Sequence, residues 1–233
     1  DQGQSWQTVC AAERVQALAL VGALGRGWAG TAEGKLWASS DGGATWAAIA
    51  SPCEGNEILS LVASPSFAED HSLYMGTAMA ATSNKQARVA LWRSTNGGES
   101  WRQLTTQTTE ARWADIAMPT LPTAAEQAVI ATGPYCLRPL RRAKDVWIST
   151  TVDPSGANVL SVVALGEVDN GGTLLAATGS GIYRSMDGGR TWQPFSAGLS
   201  VESFISLAVR REGERDVLYA LSLGGLVWKR VLS

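Results

Sequence analysis

The densest group of side chains able to do chemistry lies in the segment GPYCLRPLRRAK, residues 133–144. A guanidinium group binds a carboxylate or phosphate through two parallel hydrogen bonds and also stacks on aromatic rings. This composition therefore indicates docking of an acidic group more than bond cleavage. The residues concerned are Tyr135, Arg138, Arg141, Arg142 and Lys144.

A second basic segment, AMAATSNKQAR at 78–88, carries Lys85 and Arg88. Together the two segments hold six of the 19 Lys and Arg, which leaves 13 to balance 21 Asp and Glu. Positive charge is therefore segregated along the chain. The net charge of −2 gives the whole molecule no electrostatic basis for binding nucleic acid, whose affinity depends on cations that neutralise phosphates.

Metal ligands and nucleophiles are sparse. The single histidine, His71, and the three cysteines Cys10, Cys53 and Cys136 show none of the usual ligand spacings, so we expect no metal and no cofactor. His71 is also not paired with a serine in a pattern that suggests a catalytic triad. No apolar run approaches the length of a membrane span.

One octapeptide recurs along the chain, as SSDGGATW at 39–46, STNGGESW at 94–101 and SMDGGRTW at 185–192. Residues 1–6, DQGQSW, read as the back half of a fourth copy. An Asp or Asn side chain can bond the backbone two residues on, paired glycines supply positive φ, and the Trp opens the next strand. The defining pairs are Asp1 and Trp6, Asp41 and Trp46, Asn96 and Trp101, and Asp187 and Trp192.

This pattern resembles the Asp-box, or bacterial neuraminidase repeat. The resemblance implies a β-propeller in which each box is a structural turn between the third and fourth strands of a blade. It also implies an extracytoplasmic protein, secreted or periplasmic. Activity does not follow, because such boxes occur in sialidases, xyloglucan-degrading enzymes, sortilin-type receptors and photosystem assembly factors.

The segments between boxes predict an all-β, five-bladed propeller of four-stranded antiparallel blades, in one domain spanning 1–233. An aromatic slot on each third strand supports this count, at Trp37, Trp92, Trp147, Tyr183 and Trp228. Blade five has three predicted strands, and we expect residues 1–10 to close the ring as its fourth; an arc of a longer propeller is the alternative. The predicted blades are about 11–50, 56–106, 111–152, 157–196 and 203–231.

Connections from second to third strand are short in blades one, four and five, whereas blades two and three insert the two basic segments. Because these blades are neighbours, the segments are predicted to form one basic patch. Long loops on a rigid scaffold commonly carry recognition. The expected function is a non-catalytic binding or assembly module, whose partner is a protein with an acidic surface, free or in a membrane complex. The alternative is solvated loops whose charge aids solubility.

A glycoside hydrolase or glycan-binding propeller is the other functional class. Aligned first strands place small residues in one layer around the central channel, where Asp115 is the single acid. Most glycosidases need two carboxylates, so an enzyme is not predicted. The layer consists of Ala17, Ser60, Asp115, Ser161 and Ser206.

Cys10 and Cys53 occupy equivalent connections that leave neighbouring predicted blades. This placement is compatible with a disulfide between them and equally with two free thiols. Cys136 has no equivalent partner.

Overall fold

The structure, a computed structural model, describes residues 8–10, 12–119, 128–140, 146–168, 171–200 and 203–232. Within these ranges the chain forms antiparallel β-sheets, a 3₁₀ turn at Gly22–Leu24 and one short α-helix at Phe67–Asp70. Four sheets have four strands and the fifth has three. We call these sheets blades one to five in chain order.

Blades one and two are each built in the up-and-down order, so that every strand pairs with the next along the chain. The strands of blade one are β1 (Val15–Val21), β2 (Arg26–Thr31), β3 (Leu36–Ser39) and β4 (Ala47–Ile49). The strands of blade two are β5 (Glu57–Ala63), β6 (Leu73–Met79), β7 (Arg88–Ser94) and β8 (Arg102–Thr108).

The remaining three blades follow the same order. Blade three has β9 (Asp115–Ala117), β10 (Val129–Thr132), β11 (Tyr135–Pro139) and β12 (Trp147–Thr151). Blade four has β13 (Val159–Leu165), β14 (Thr173–Thr178), β15 (Gly181–Ser185) and β16 (Gln193–Pro194). Blade five has β17 (Phe204–Glu212), β18 (Arg215–Ser222) and β19 (Val227–Val231).

The first strands of four blades carry the same irregularity. The pairing register shifts once near the start of β1, β5, β13 and β17, so that an extra residue is accommodated as in a β-bulge. A bulge increases the local twist and re-aims the side chain that follows it. In each blade the residue after the shift belongs to the predicted small-residue layer: Ala17, Ser60, Ser161 and Ser206.

The hydrophobic core lies between blades. Each of the four clusters of buried side chains combines residues of two neighbouring blades, because a two-faced sheet of alternating residues must bury both faces. The first strands accordingly pack in the order β1, β5, β9, β13 and β17. In the described residues no comparable packing joins β17 to β1.

The strands of blade three differ from those predicted. The segment 133–144 is not a loop between the second and third strands, because Tyr135–Pro139 is itself the third strand and follows β10 after a two-residue turn. Trp147 therefore begins the fourth strand and does not fill the aromatic slot, which Leu137 occupies opposite Ile130. The turn at 152–156 leads into blade four and does not replace a box.

Blade five has the three strands that were predicted. The proposed closing strand cannot be followed, because residues 1–7, including Asp1 and Trp6, lie outside the described residues. Residues 8–10 belong to no strand. Hydrogen-bonded closure of the ring is thus not shown.

Candidate functional site

The two ends of the blades differ in what they present. Connections from second to third strand and from one blade to the next open on one end, which we call the loop face. The boxes and the connections from first to second strand open on the other, the box face. Hydrogen bonds tie these latter connections together, since the N–H groups of Gly42, Gly97 and Gly188 donate to the carbonyls of Gly25, His71 and Gly172.

Blade two extends furthest at the loop face in the described part of the chain. Its second, third and fourth strands have seven residues each and remain paired up to Met79, Arg88 and Thr108. Residues 80–87, the blade-two hairpin, connect β6 to β7 and contain a small bridge between Thr82 and Lys85. The Thr82 N–H donates to the Lys85 carbonyl at 2.8 Å, which gives the hairpin tip a defined turn.

Both predicted basic residues of blade two lie at this hairpin. Lys85 is exposed at the tip, and Arg88 is half-buried at the base, where its Nε lies 3.1 Å from the Met79 Sδ. Neither forms an ion pair with another described residue. Both cations therefore remain available to an outside anion.

A hollow of ≈ 310 Å³ opens beside the hairpin, between blades one, two and three. Its polar groups are few: the Arg112 guanidinium pairs with the Glu57 carboxylate, and Glu110 lies exposed on the blade-three side. Small side chains form most of the walls and leave room for an inserted group. They are Ala32, Ala78, Ala80, Ala81, Ala87 and Ala111.

Sequence reasoning found the hairpin but missed the hollow. The Ala78–Ala81 stretch was visible, yet alanine alone predicts no particular site. The pairing of Glu57 with Arg112 joins residues 55 positions apart and depends on how blades two and three pack.

The structure does not bring Arg138 of blade three to this hairpin. Arg138 lies within β11 and is 7% exposed, and the Cβ of an alanine at Gly189 in blade four would lie 3.4 Å from its Cδ. Tyr135 is half-buried at the loop-face end of β11 and packs on the core between blades two and three. The predicted loop is therefore wrong at Tyr135 and Arg138, because both residues lie in a strand, and a patch that includes Arg141, Arg142 and Lys144 stays a prediction.

Arg141, Arg142 and Lys144 lie outside the described residues. Their segment leaves β11 at Leu140 and enters β12 after Val146, and the Leu140 N–H donates to the Val146 carbonyl at 2.8 Å. In the chain these residues lie between β11 and β12, and their contribution to a basic patch stays a prediction.

Arg138 instead occupies a strand position that is basic in four of the five blades. The residue after the slot on the third strand is Arg93 in blade two, Arg138 in blade three, Arg184 in blade four and Lys229 in blade five. The guanidinium of Arg93 lies 5.7 Å from the Tyr74 ring centroid, and that of Arg184 lies 4.6 Å from the Phe195 ring centroid. Aligning CLR (136–138) with LWR (91–93) and IYR (182–184) was the sequence signal that could have identified β11.

The residues of the channel layer lie in the predicted register, and two of its polar members, Asp115 and Ser161, link blades. The Asp115 Oδ2 accepts a hydrogen bond of 2.7 Å from the Val162 N–H of blade four. The Ser161 Oγ accepts one of 3.2 Å from the Leu207 N–H of blade five. Ser60 Oγ is enclosed beside Gly76, and Ser206 is exposed.

Asp115 lies in a groove of ≈ 490 Å³ that runs past blades three, four and five. Burial raises the pKa of its carboxyl, although hydrogen bonds from the Val162 N–H and from Ser161 oppose the shift. It is the single acid among the described residues that line the groove. General acid–base work on a glycoside needs a second group, and one oxygen of Asp115 is already used between blades.

The boxes are hydrogen-bonded turns. In the first, the Asp41 Oδ1 accepts from the Ser39 Oγ at 2.8 Å and from the Thr45 N–H at 2.9 Å, and the Trp46 Nε1 donates to the Gly43 carbonyl at 3.0 Å. The bonded N–H is four residues on, not two as expected. The predicted positive φ is present at Gly42 and Gly43, with values of 75° and 90°.

The other two boxes repeat this geometry with one difference. Asn96 accepts from the Ser100 N–H at 3.0 Å, and the Trp101 Nε1 donates to the Gly98 carbonyl at 3.1 Å. Asp187 bonds Thr191 in the same way. Trp192 instead faces Thr150 of blade three, whose hydroxyl donates to the Gly189 carbonyl.

All three cysteines are free thiols, so the pairing of Cys10 with Cys53 is not formed. The Cys53 Sγ is buried 3.3 Å from the Ser51 Oγ. No group of His, Cys, Asp and Glu in the described ranges has the arrangement of a metal site. No helix in those ranges has the length and apolar character needed to cross a bilayer.

The search of family models and the search of curated proteins each returned no match. Solved structures do match. A GH74 enzyme of Niastella koreensis has 19% identity and a TM-score of 0.58, over 93% of this chain and 30% of the enzyme. An ancestral GH74 enzyme has 17% identity and a TM-score of 0.63, over 97% of this chain and 32% of the enzyme.

YCF48 bound to D1 peptide matches with 16% identity and a TM-score of 0.60, over 93% of this chain and 62% of YCF48. Sqt1 of Saccharomyces cerevisiae matches with 14% identity and a TM-score of 0.60, over 94% and 62%. The chain thus spans about a third of the GH74 enzymes and about three-fifths of YCF48 and Sqt1. These similarities establish that the chain has a β-propeller fold, and they concern the fold alone.

Proposed function

We propose that this propeller is a non-catalytic binding module that docks a protein partner on its loop face at blade two. The observation that carries the proposal is the blade-two hairpin, which projects beside an open hollow lined by alanines. An extended segment of a partner can insert a small apolar side chain there while its backbone follows the hairpin. Rigid strands on both sides keep the site formed before binding, which lowers the entropic cost of association.

The charged side chains around the hollow indicate the charge of the partner segment. Lys85 and Arg88 have no described anionic partner, whereas Arg112 is already neutralised by Glu57. Glu110 on the opposite wall disfavours acids at that side. The partner segment is therefore acidic where it passes the hairpin, and this polarity fixes its direction across the hollow.

The solved structures support a binding role without defining the partner. One structure of similar fold is that of YCF48 bound to a peptide. For this chain we propose a partner protein with an acidic surface, including one within a membrane complex, and an extracytoplasmic location. Arg141, Arg142 and Lys144 lie outside the described residues and are not part of the proposed site.

The competing proposal is a glycosidase or glycan-binding propeller at the Asp115 groove. GH74 enzymes of similar fold and the groove itself favour it. Against it stands the use of Asp115 as a link between blades three and four. A single half-buried carboxylate held by a backbone N–H is better explained by packing than by acid–base catalysis.

The test is binding of short fluorescent peptides, acidic, neutral and basic, measured by fluorescence anisotropy. Acidic peptides should bind the native chain and should bind a Lys85→Glu/Arg88→Glu variant at least about tenfold more weakly, about 1.4 kcal/mol. The control is Arg210→Glu/Arg215→Glu, which makes the same charge change at exposed positions of blade five. This control should bind acidic peptides like the native chain.

Equal loss in both double variants would show a nonspecific charge effect and overturn the site. The glycosidase proposal is tested by incubating the native chain and an Asp115→Asn variant with a panel of polysaccharides that includes xyloglucan. Hydrolysis by the native chain that disappears in the variant would overturn the non-catalytic proposal.

A further inference from the structure

The outer strand of blade two is longer than the outer strands of blades one, three and four. β8 is the last strand in the sheet order of its blade and has seven residues, whereas β4, β12 and β16 have three, five and two. A strand at the end of a sheet pairs along one side, so its other side presents unpaired N–H and C=O groups. Proteins usually keep such strands short or place proline or charged residues on them. β8 has no proline, and Arg102 is its single charged residue.

The regular part of β8 lies at the end beside the proposed partner site. The pairing of β8 with β7 shifts its register once, which makes Leu104 the extra residue of a bulge. From Thr105 to Thr108 the pairing is regular. The next residue, Thr109, lines the hollow. We call the side of residues 105–108 that faces away from β7 the β8 edge.

A hydrogen bond at the end of β8 indicates which backbone groups form this edge. The Thr109 N–H donates to the Ala87 carbonyl at 3.1 Å, so the Thr109 backbone faces the side of β7. Because successive residues of an antiparallel strand alternate in direction, Gln107 also faces β7, whereas Thr106 and Thr108 direct their N–H and C=O groups away from it. The Thr108 carbonyl accordingly accepts from the Gln107 side-chain amide at 3.2 Å. Thr106 and Thr108 are both exposed.

A cation of the proposed site lies on the neighbouring strand, in register with the β8 edge. Arg88 pairs directly with Thr108, so the two side chains share one face of the sheet. A strand added beside β8 would lie about 10 Å from β7, a distance that an arginine and a glutamate side chain span together. Arg88 forms no ion pair with another described residue. An acidic residue opposite Thr108 would therefore be favoured in an added strand.

We infer that the partner segment binds as an added antiparallel strand on the β8 edge, with an acidic residue opposite Thr108. The added strand is the acidic segment of the proposed function, on which this proposal rests. The N–H and C=O groups of Thr106 and Thr108 bond the backbone of the segment, and one end of the segment passes Thr109 into the hollow. Backbone pairing of this kind supplies affinity, and the alternate side chains supply specificity.

The test uses fluorescent peptides of alternating glutamate and threonine, with binding measured by fluorescence anisotropy. In the proposed arrangement the glutamates opposite Thr106 and Thr108 share a face with Arg88 and direct their N–H groups at β8. A peptide that is N-methylated at its glutamates should therefore bind at least about tenfold more weakly than the unmethylated peptide. The matched control is N-methylated at its threonines. It should bind like the unmethylated peptide, because those N–H groups point away from β8.

Amide hydrogen exchange, followed residue by residue, locates the added strand. The amides of Thr106 and Thr108 should exchange quickly in the free chain, because they point away from β7, and more slowly when the unmethylated peptide is bound. The control is the amide of Gln193, in the outer strand of blade four. Its exchange should not change when the peptide binds.

Failure of the added strand and failure of the partner site give different results. An unmethylated acidic peptide that does not bind the native chain overturns both. Binding that is lost in the Lys85→Glu/Arg88→Glu variant, but is equally strong for the two methylated peptides, keeps the partner site and overturns the added strand. Slower exchange at another outer strand, with the Thr106 and Thr108 amides unchanged, also overturns the added strand on β8.

Discussion

The residue that accepts the hydrogen bonds of the box turn is charged in two boxes and neutral in the third. Asp41 and Asp187 hold the same turn as Asn96, which is neutral. Hydrogen bonds from the Thr45 side chain and backbone lower the pKa of Asp41 to about 2. Burial of Asp187 opposes such a shift, but hydrogen bonds from Thr191, Ser185 and Arg190 outweigh it and also lower its pKa to about 2.

Acid should therefore weaken two of the three boxes. A carboxyl with a lowered folded pKa contributes stability above its unfolded pKa, near 3.8, and loses that contribution as the pH falls towards 2. In an Asp41→Asn/Asp187→Asn variant, the unfolding free energy should fall less steeply between pH 5 and pH 2 than in the native chain, as measured by urea titration. An Asn96→Asp variant should become steeper. Identical slopes in all three chains would contradict this account.

Strands were largely predictable from the sequence because alternation and turn chemistry coincide in most blades. β1 lies within predicted blade one, and β13, β14 and β15 lie within predicted blade four. Blade three differs because its third strand lacks the aromatic residue that marks the others, so Trp147 drew the slot to the wrong strand. One part of the site was predictable, because the long segment that carries Lys85 and Arg88 stands out between two strands of blade two. The hollow was not predictable, because it depends on contacts between three blades.

Close approach between elements explains a glycine inside β2. A Cβ on Gly30 would lie 2.4 Å from the Ile58 Cγ2 of blade two, although its φ is ordinary for a strand. Gly30→Ala should lower the unfolding free energy by about 1 to 3 kcal/mol through overpacking. Gly22→Ala is the control, because its Cβ would meet nothing within 4 Å. Urea unfolding of both variants measures the difference, and equal effects would contradict the proposed contact.

In the described residues of the whole molecule, each buried apolar cluster lies at a junction between two blades. Composition and repeats predicted a propeller, but the state of its two ends could not be predicted, because sequence shows that a face is apolar and not what covers it. The prediction that residues 1–10 close the ring is still open, since residues 1–7 lie outside the described part of the chain.

Substitutions of Leu61 and Leu18 test whether the face of blade one that carries Leu18 is covered within a single chain, because the two residues occupy the same position in two blades. Leu61→Ala removes a buried side chain and should cost about 2 to 5 kcal/mol. Leu18→Ala, studied in dilute monomeric solution, should cost less than about 0.5 kcal/mol. Chemical unfolding followed by tryptophan fluorescence measures both. Similar costs would show that blade one is covered within a single chain.

The links from Asp115 to Val162 and from Ser161 to Leu207 have a consequence for how the fold comes apart. Blade three holds blade four, and blade four holds blade five, through a layer residue, so these three neighbours stabilise one another in series. In blade one the layer residue Ala17 has no polar side chain, and in blade two the Ser60 Oγ has no hydrogen-bond partner among the described residues. Blade four is linked in this way on both sides. Local opening should therefore reach blade four later than the blades that have this link on one side or on neither.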